Sequence, residues 1–241
     1  MGLTYKDDQD LHFLQHCTEE QLINIAQLLT HDDNGKRRLA SELLKHTQYQ
    51  SLEAHPERHR QCWQLIAGEL QHFGGDSIAN KLRGHGPQYR AILIDVCKRL
   101  GLKADKEMPT FDIEQNLLEH FLRNAWKKMN ETHKAEFLAA VNTRVTELEE
   151  LLPQLMKDKK LASGVSHLLS GQLSRILRTH AAMSVIGHGL VRGVGLGGPL
   201  GAALNGVKAV SGSAFRVTIP AVLQVACLRR ILAAEAMSES L

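Results

Sequence analysis

Residues 56–100, PERHRQCWQLIAGELQHFGGDSIANKLRGHGPQYRAILIDVCKRL, hold the pattern that decides the fold. Trp63, Ile66, Ala67, Leu70 and Phe73 recur at steps of three and four. That spacing lines one face of a helix; on a strand, whose faces alternate every residue, it would scatter them over both. Pro56 suits the first turn of such a helix, where its missing amide has no bond to lose, and Gly74-Gly75 suits its end. Asp76 is placed to cap a short helix through Lys81, and Gly84-His85-Gly86-Pro87 turns the chain again. Tyr89, Ile92, Leu93, Val96 and Leu100 then repeat the pattern. Three helices joined by two glycine turns follow.

The same period extends outward in both directions. Thr18-Glu19-Glu20-Gln21 has the form of a capping box, and Leu22, Ile25, Ala26 and Leu29 continue it as one apolar face. Asp32-Asp33-Asn34-Gly35 should stop that helix, because these residues accept turn backbone; the oxygen spacing of an EF-hand loop is missing. Beyond a polar stretch ending at Pro109, Ile113, Leu117, Phe121 and Ala125 describe another helix. Leu138, Val141, Val145, Leu148, Leu152 and Leu155 form a coiled-coil-like seam, with Pro153 expected to kink its last turn. Leu161, Val165, Leu168, Leu169, Leu173 and Ile176 predict a helix to Leu177, and VTIPAVLQVACLRRIL predicts one begun at Thr218–Pro220 and ended by Arg229 and Arg230.

Composition agrees. The 241 residues are 43% hydrophobic but only 5% aromatic, with 6 prolines, which favours helix over strand and supplies enough apolar surface for a core. The expectation is an all-α multi-helix bundle with a glycine-rich, cationic, helical C-terminal part. Residues 1–102 form an N-terminal helical module, 103–160 a connecting pair of long helices, and 161–241 the C-terminal part; alternatively 103–241 is one domain.

The net charge of +3 conceals an asymmetry. Residues 159–234 hold Lys159, Lys160, Arg175, Arg178, Arg192, Lys208, Arg216, Arg229 and Arg230 and no carboxylate, so the remainder is net acidic. Two such parts suit opposite partners. Cys17, Cys62, Cys97 and Cys227 are far apart and form no CxxC pair, and read as small buried hydrophobes in a reducing cytoplasm. MGLTYKDDQDLHFL lacks the basic start and apolar run of a signal peptide, so a cytoplasmic location is expected.

Within the cationic part, residues 187–217 read GHGLVRGVGLGGPLGAALNGVKAVSGSAFRV. Gly189, Gly193, Gly197 and Gly201 recur every four positions and would leave a bare stripe along a helix. Such a stripe admits either a second helix of the same fold or a lipid surface, and the sequence leaves both open. Arg192, Lys208, Arg216, Arg229 and Arg230 are the cations placed to meet anionic headgroups. The charge-free stretches, Gly193–Val207 and Val217–Leu228, both fall short of the ~20 residues that span hydrocarbon, so neither is a conventional transmembrane helix.

No reaction is legible. His12 with His16 and His55 with His59 have helical i, i+4 spacing, but neither pair has a third ligand or an intervening Glu, and no metal is expected. Gly193-Val194-Gly195-Leu196-Gly197-Gly198 satisfies GxGxxG without the preceding strand or the following acid that a dinucleotide site needs. GxxxxGK[ST] and GxSxG do not occur. Residues 159–234 contain Phe215 and no other Phe, Tyr or Trp, and their charges are dilute, which argues against nucleic acid. The chain is read as non-enzymatic and without a cofactor.

DLHFLQHCTEEQL, LLTHDDNGKRRL, CWQLIAGELQHFGGDSIANKLRGHG, YRAILIDVCKRL and GAALNGVKAVSGSAFRVTIPAVLQVACLRR closely resemble the YaaW family of enterobacterial proteins, over essentially the whole chain. That family is grouped with the mitochondrial ubiquinol–cytochrome c chaperones, an assembly-factor group, and the kinship shows here as a helical likeness around residues 60–130. The resemblance implies a cytoplasmic bacterial protein of shared fold and brings no catalytic residues. Asn80, Arg83 and Tyr89 lie beside the glycine turns and either tie them together or form a small polar surface. The function expected first is a non-enzymatic adaptor or assembly chaperone, peripheral to the cytoplasmic face of the inner membrane, with an unidentified protein client. A soluble interaction module with a buried glycine segment is the alternative, and a membrane-perturbing toxin-type protein the third reading.

Overall fold

The computed structural model describes residues 3–32, 35–74, 86–105, 107–141, 143–155, 158, 160–166 and 215–239. The expectations for residues 75–85 and 167–214, including Asn80, Arg83, Arg192, Lys208, the glycine row and the GxGxxG match, lie outside them.

The described part is all-α. A 3-10 helix, Gln9–His16, leads into α1, Glu19–Thr30. Short α2, Thr47–Ser51, and α3, Arg58–Gln61, precede α4, Trp63–Gly74, and α5, Tyr89–Arg99. Then come α6, Thr110–Lys128; α7, Glu131–Ala140; α8, Leu148–Leu155; a helical stretch at 160–166; and α9, Phe215–Glu239.

Local signals fix many boundaries. Thr18 closes the capping box: its hydroxyl accepts the Gln21 amide at 3.3 Å and the Gln21 side chain accepts the Thr18 amide at 2.8 Å. After Thr30 the chain reverses through Gly35, whose φ of +74° is left-handed, and Asp32 accepts the Lys36 amide on Oδ1. Cys62 leaves helical geometry, so the helix expected from Pro56 to Phe73 is two helices with a step between them.

The seam from Leu138 to Leu155 is also interrupted. The Thr143 amide bonds back to the Leu138 carbonyl, and the Thr143 hydroxyl takes the Val145 amide at 3.2 Å. A hydroxyl residue among β-branched ones offers the backbone a turn that competes with the helix, and residues 143–147 take it. In place of a pair of long helices, the described residues of 103–158 form one long helix and two short ones. Pro153 lies inside α8 as expected.

α9 is the centre. It packs against α1, α4, α5 and α6, and every residue from Val217 to Leu228 is buried. A helix apolar on all faces needs neighbours on all faces. The expected end at Arg229-Arg230 is wrong: the helix continues to Glu239, because both guanidinium groups find partners inside the protein. With those residues included, Phe215–Ala236 is long and apolar enough to cross a membrane, and 78% of its most apolar stretch is buried inside the protein.

Candidate functional site

The polar groups that the helices bring together lie mostly in the core, around Glu114. Glu114 sits in the first turns of α6 in register with Leu118, Phe121 and Ala125, on the face that meets α9, and its side chain is fully buried. Its Oε1 accepts the Tyr89 hydroxyl at 2.7 Å and its Oε2 accepts Arg229 Nε at 2.9 Å. Arg230 approaches the same Oε2 at 3.5 Å and donates to the carbonyls of Ala226 at 3.0 Å and Phe111 at 2.9 Å. Arg229 also donates to the Asp10 carbonyl, and its guanidinium lies over the Phe13 ring, 4.4 Å from the centroid. Arg230 covers Phe111 in the same way, also at 4.4 Å.

Burial raises the Glu114 carboxyl against the pull of Arg229, and it raises the Tyr89 phenol further, with the Glu114 charge adding to it. For Arg229 the Glu114 carboxylate overcomes burial and lifts the guanidinium.

A second layer ties the N-terminal segment to this core. Asp8 is buried and accepts the Tyr89 amide on Oδ2 at 2.5 Å and the Asp10 amide on Oδ1 at 3.1 Å. Asp10 Oδ2 accepts the Thr110 hydroxyl at 2.9 Å. Gln71, buried on α4, exchanges both amide bonds with Lys6, each at 2.9 Å.

Two further carboxylates have backbone duties. Glu69, fully buried, accepts the amides of Glu42 and Leu43, each at 3.1 Å, and burial pushes it up to about 7. Glu19 accepts the amides of His59 at 3.1 Å and Arg60 at 3.0 Å. His59 meets Glu19 through Nδ1 and the Tyr49 hydroxyl through Nε2 at 2.9 Å, so neither ring nitrogen is left for a metal. Burial opposes ionisation of Glu19, but the Arg60 amide and His59 outweigh it and hold the carboxyl low.

Chemically, this arrangement positions helices. Each carboxylate is engaged by protein donors, and the Tyr89 hydroxyl is spent on Glu114. Among the described residues no three His, Cys, Asp or Glu side chains converge on a point that would hold a metal ion. The four cysteines are buried, and burial pushes the thiols of Cys17 and Cys227 up to about 12, far from a reactive thiolate.

The residues singled out in the sequence fare differently. Tyr89, offered for a turn tie or a polar surface, is fully buried, so it belongs to the core network and to no surface. Arg229 and Arg230, offered for lipid or helix packing, are held in the packed core. Arg216 is exposed near the start of α9. Glu114, Asp8, Glu69 and Gln71 were not singled out. The signal for Glu114 was present, since a carboxylate in register with Leu118, Phe121 and Ala125 interrupts an apolar face.

Comparison with known proteins places this framework among relatives. The family model described as Ubiquinol-cytochrome C chaperone matches residues 58–223, and a domain of unknown function (DUF3944) matches residues 5–39. The UPF0174 protein YaaW of Escherichia coli (strain K12) is 74% identical over 234 residues, covering 97% of this chain and 99% of that one. A UPF0174 protein of Helicobacter pylori (strain J99 / ATCC 700824) is 30% identical over 242 residues, covering 94% of this chain and 93% of its own. No solved structure matches the chain.

Proposed function

Because this chain belongs to the UPF0174 proteins and, over residues 58–223, to the ubiquinol-cytochrome C chaperone family, we propose that it is a non-enzymatic adaptor of assembly-chaperone type. It works at the cytoplasmic face of the inner membrane on a protein client. The observation that carries this reading is the extent of the chaperone-family match, which runs from α3 through α4, α5 and α6 into the first residues of α9. The engagement of the Glu114, Asp8 and Glu69 carboxylates by protein donors supports the non-catalytic part of it. Among the described residues the buried acids and arginines hold helices together.

Recovery of partners by the tagged full chain at native expression level, followed by cross-linking, tests the client. A protein retained in constant proportion to the chain is expected. Recovery no greater than with an unrelated helical protein would remove the adaptor reading.

Lipid contact is assigned to Arg192, Lys208 and Arg216 with the glycine row between them, since α9 is engaged in the core. The full chain should float with vesicles containing anionic lipid, less so as salt rises. Replacing the three cations by Gln should cost about 3 kcal/mol, roughly a hundredfold in partitioning, without altering Tm.

A second reading, a soluble interaction module, is favoured by one observation: the helix apolar enough for a membrane is buried instead. In that case Gly193→Leu and Gly197→Leu would destabilise by about 1–3 kcal/mol each through overfilling, and the wild type would not float.

A further inference from the structure

The other side of the Glu69 carboxylate is a loop with an unusual tip. Residues 38–41 form a β-turn closed by the Ser41 amide on the Arg38 carbonyl at 3.1 Å, which puts Leu39 and Ala40 at its corners. Such corners ordinarily carry Gly, Pro, Asn, Asp or Ser. Here Leu39 is 91% exposed, and it is the large hydrophobic residue that stands out in solvent among the described residues. Ala40, Lys36 and Arg37 beside it are exposed as well.

The loop is held in place from within. The Arg38 amide bonds to the Thr30 carbonyl at 2.8 Å, and His31 pairs with Arg37 as an isolated antiparallel bridge. Lys45 Nζ reaches the Leu39 carbonyl at 3.1 Å, and Glu69 fixes the amides of Glu42 and Leu43. A fully buried carboxylate is thus spent on anchoring a loop whose outermost side chain is apolar and makes no core contact. Burial, with Arg37 and Arg38 adding to it, holds His31 below its ordinary value against the opposing charge of Asp32. Lys36 and Arg37 beside the tip are exposed cations.

We infer that this turn is a membrane-contact tip, in which Leu39 enters the acyl boundary of an anionic bilayer while Lys36 and Arg37 lie against its headgroups. The inference deepens the proposed membrane association and rests on it, but locates a contact on the folded body, away from Arg192, Lys208 and Arg216. A bilayer is the fitting occupant because Leu39 projects. One protruding aliphatic side chain among cations suits a fluid anionic interface, whereas a protein partner is ordinarily held by a face of ~800 Å².

The test uses the full chain and vesicles of phosphatidylglycerol with phosphatidylethanolamine, against phosphatidylcholine alone. Leu39→Asp should lower partitioning into anionic vesicles at least roughly tenfold, and Lys36→Gln with Arg37→Gln should lower it roughly thirtyfold. Both variants should keep the wild-type Tm, since none of the three side chains is buried. In a Leu39→Cys variant the new thiol is exposed while the native four are buried, so an environment-sensitive dye placed there should shift to the blue on anionic vesicles. If the wild type floats but Leu39→Asp floats equally and the dye does not shift, the tip is overturned while the lipid contact assigned to Arg192, Lys208 and Arg216 stands. If Leu39→Asp leaves flotation unchanged and loses a protein client instead, the tip binds an acidic protein and its assignment to lipid is wrong. A wild type that floats on neither vesicle overturns both.

Discussion

Glu114 and Arg229 are 115 residues apart in the chain and 2.9 Å apart in the core. With Arg230 on the same oxygen, one fully buried carboxylate faces two guanidinium groups. Glu114→Gln keeps the shape and removes the charge, leaving both arginines without their anion. It should destabilise the protein by about 3–5 kcal/mol, the usual cost of breaking a buried pair from one side. Replacing all three by Leu, Met and Met should recover most of that loss. Urea midpoints check both, and a Glu114→Gln variant as stable as wild type would show that the pair does not hold α6 to α9.

Glu69 links stability to pH. Its folded carboxyl is pushed up to about 7, above its unfolded value, so the folded state keeps its proton after the unfolded state has lost it. Its contribution is therefore complete below the unfolded value and is lost as pH rises to about 7. Over that interval wild type should lose about 3 kcal/mol relative to Glu69→Gln, with no further difference above it. Paired urea titrations from pH 4 to 8 measure the difference, and parallel curves would refute it.

Gly86 is required by proximity. A Cβ there would run into the Gln71 carbonyl oxygen, a backbone atom that cannot swing aside. Gly86→Ala should cost at least about 1–3 kcal/mol in thermal or urea unfolding. A neutral effect would mean that α4 and the start of α5 are further apart.

Gln71→Leu removes the side chain that exchanges two bonds with Lys6. Loss of the pair should destabilise by about 1–3 kcal/mol and speed hydrogen exchange at the Lys6 amide more than at amides of α4. Uniform acceleration throughout the chain would indicate global destabilisation instead of release of the N-terminal segment.

What could be read beforehand was whatever a helix writes into neighbouring residues. The Thr18 capping box, the face of Tyr89–Arg99 and the face of Thr110–Lys128 were all visible as spacing, and each is where it was expected. The misses are non-local. Two adjacent arginines look like a solvated helix end until Glu114, from another helix, is placed beside them. Tyr89 lies on an apolar face in the sequence, but nothing beside it shows that its hydroxyl goes to Glu114. The break near Thr143 was local but weak, because the apolar steps on both sides kept the period and hid the turn between them. For the glycine row the sequence offered packing or lipid, and its residues lie outside those described.

The position of α9 also sets the order in which the core can close. α1, α4, α5 and α6 all precede it in the chain, and each packs against it. Their contacts with it are long-range, so the faces it covers stay open to solvent until it docks, and the core closes in one late, cooperative step.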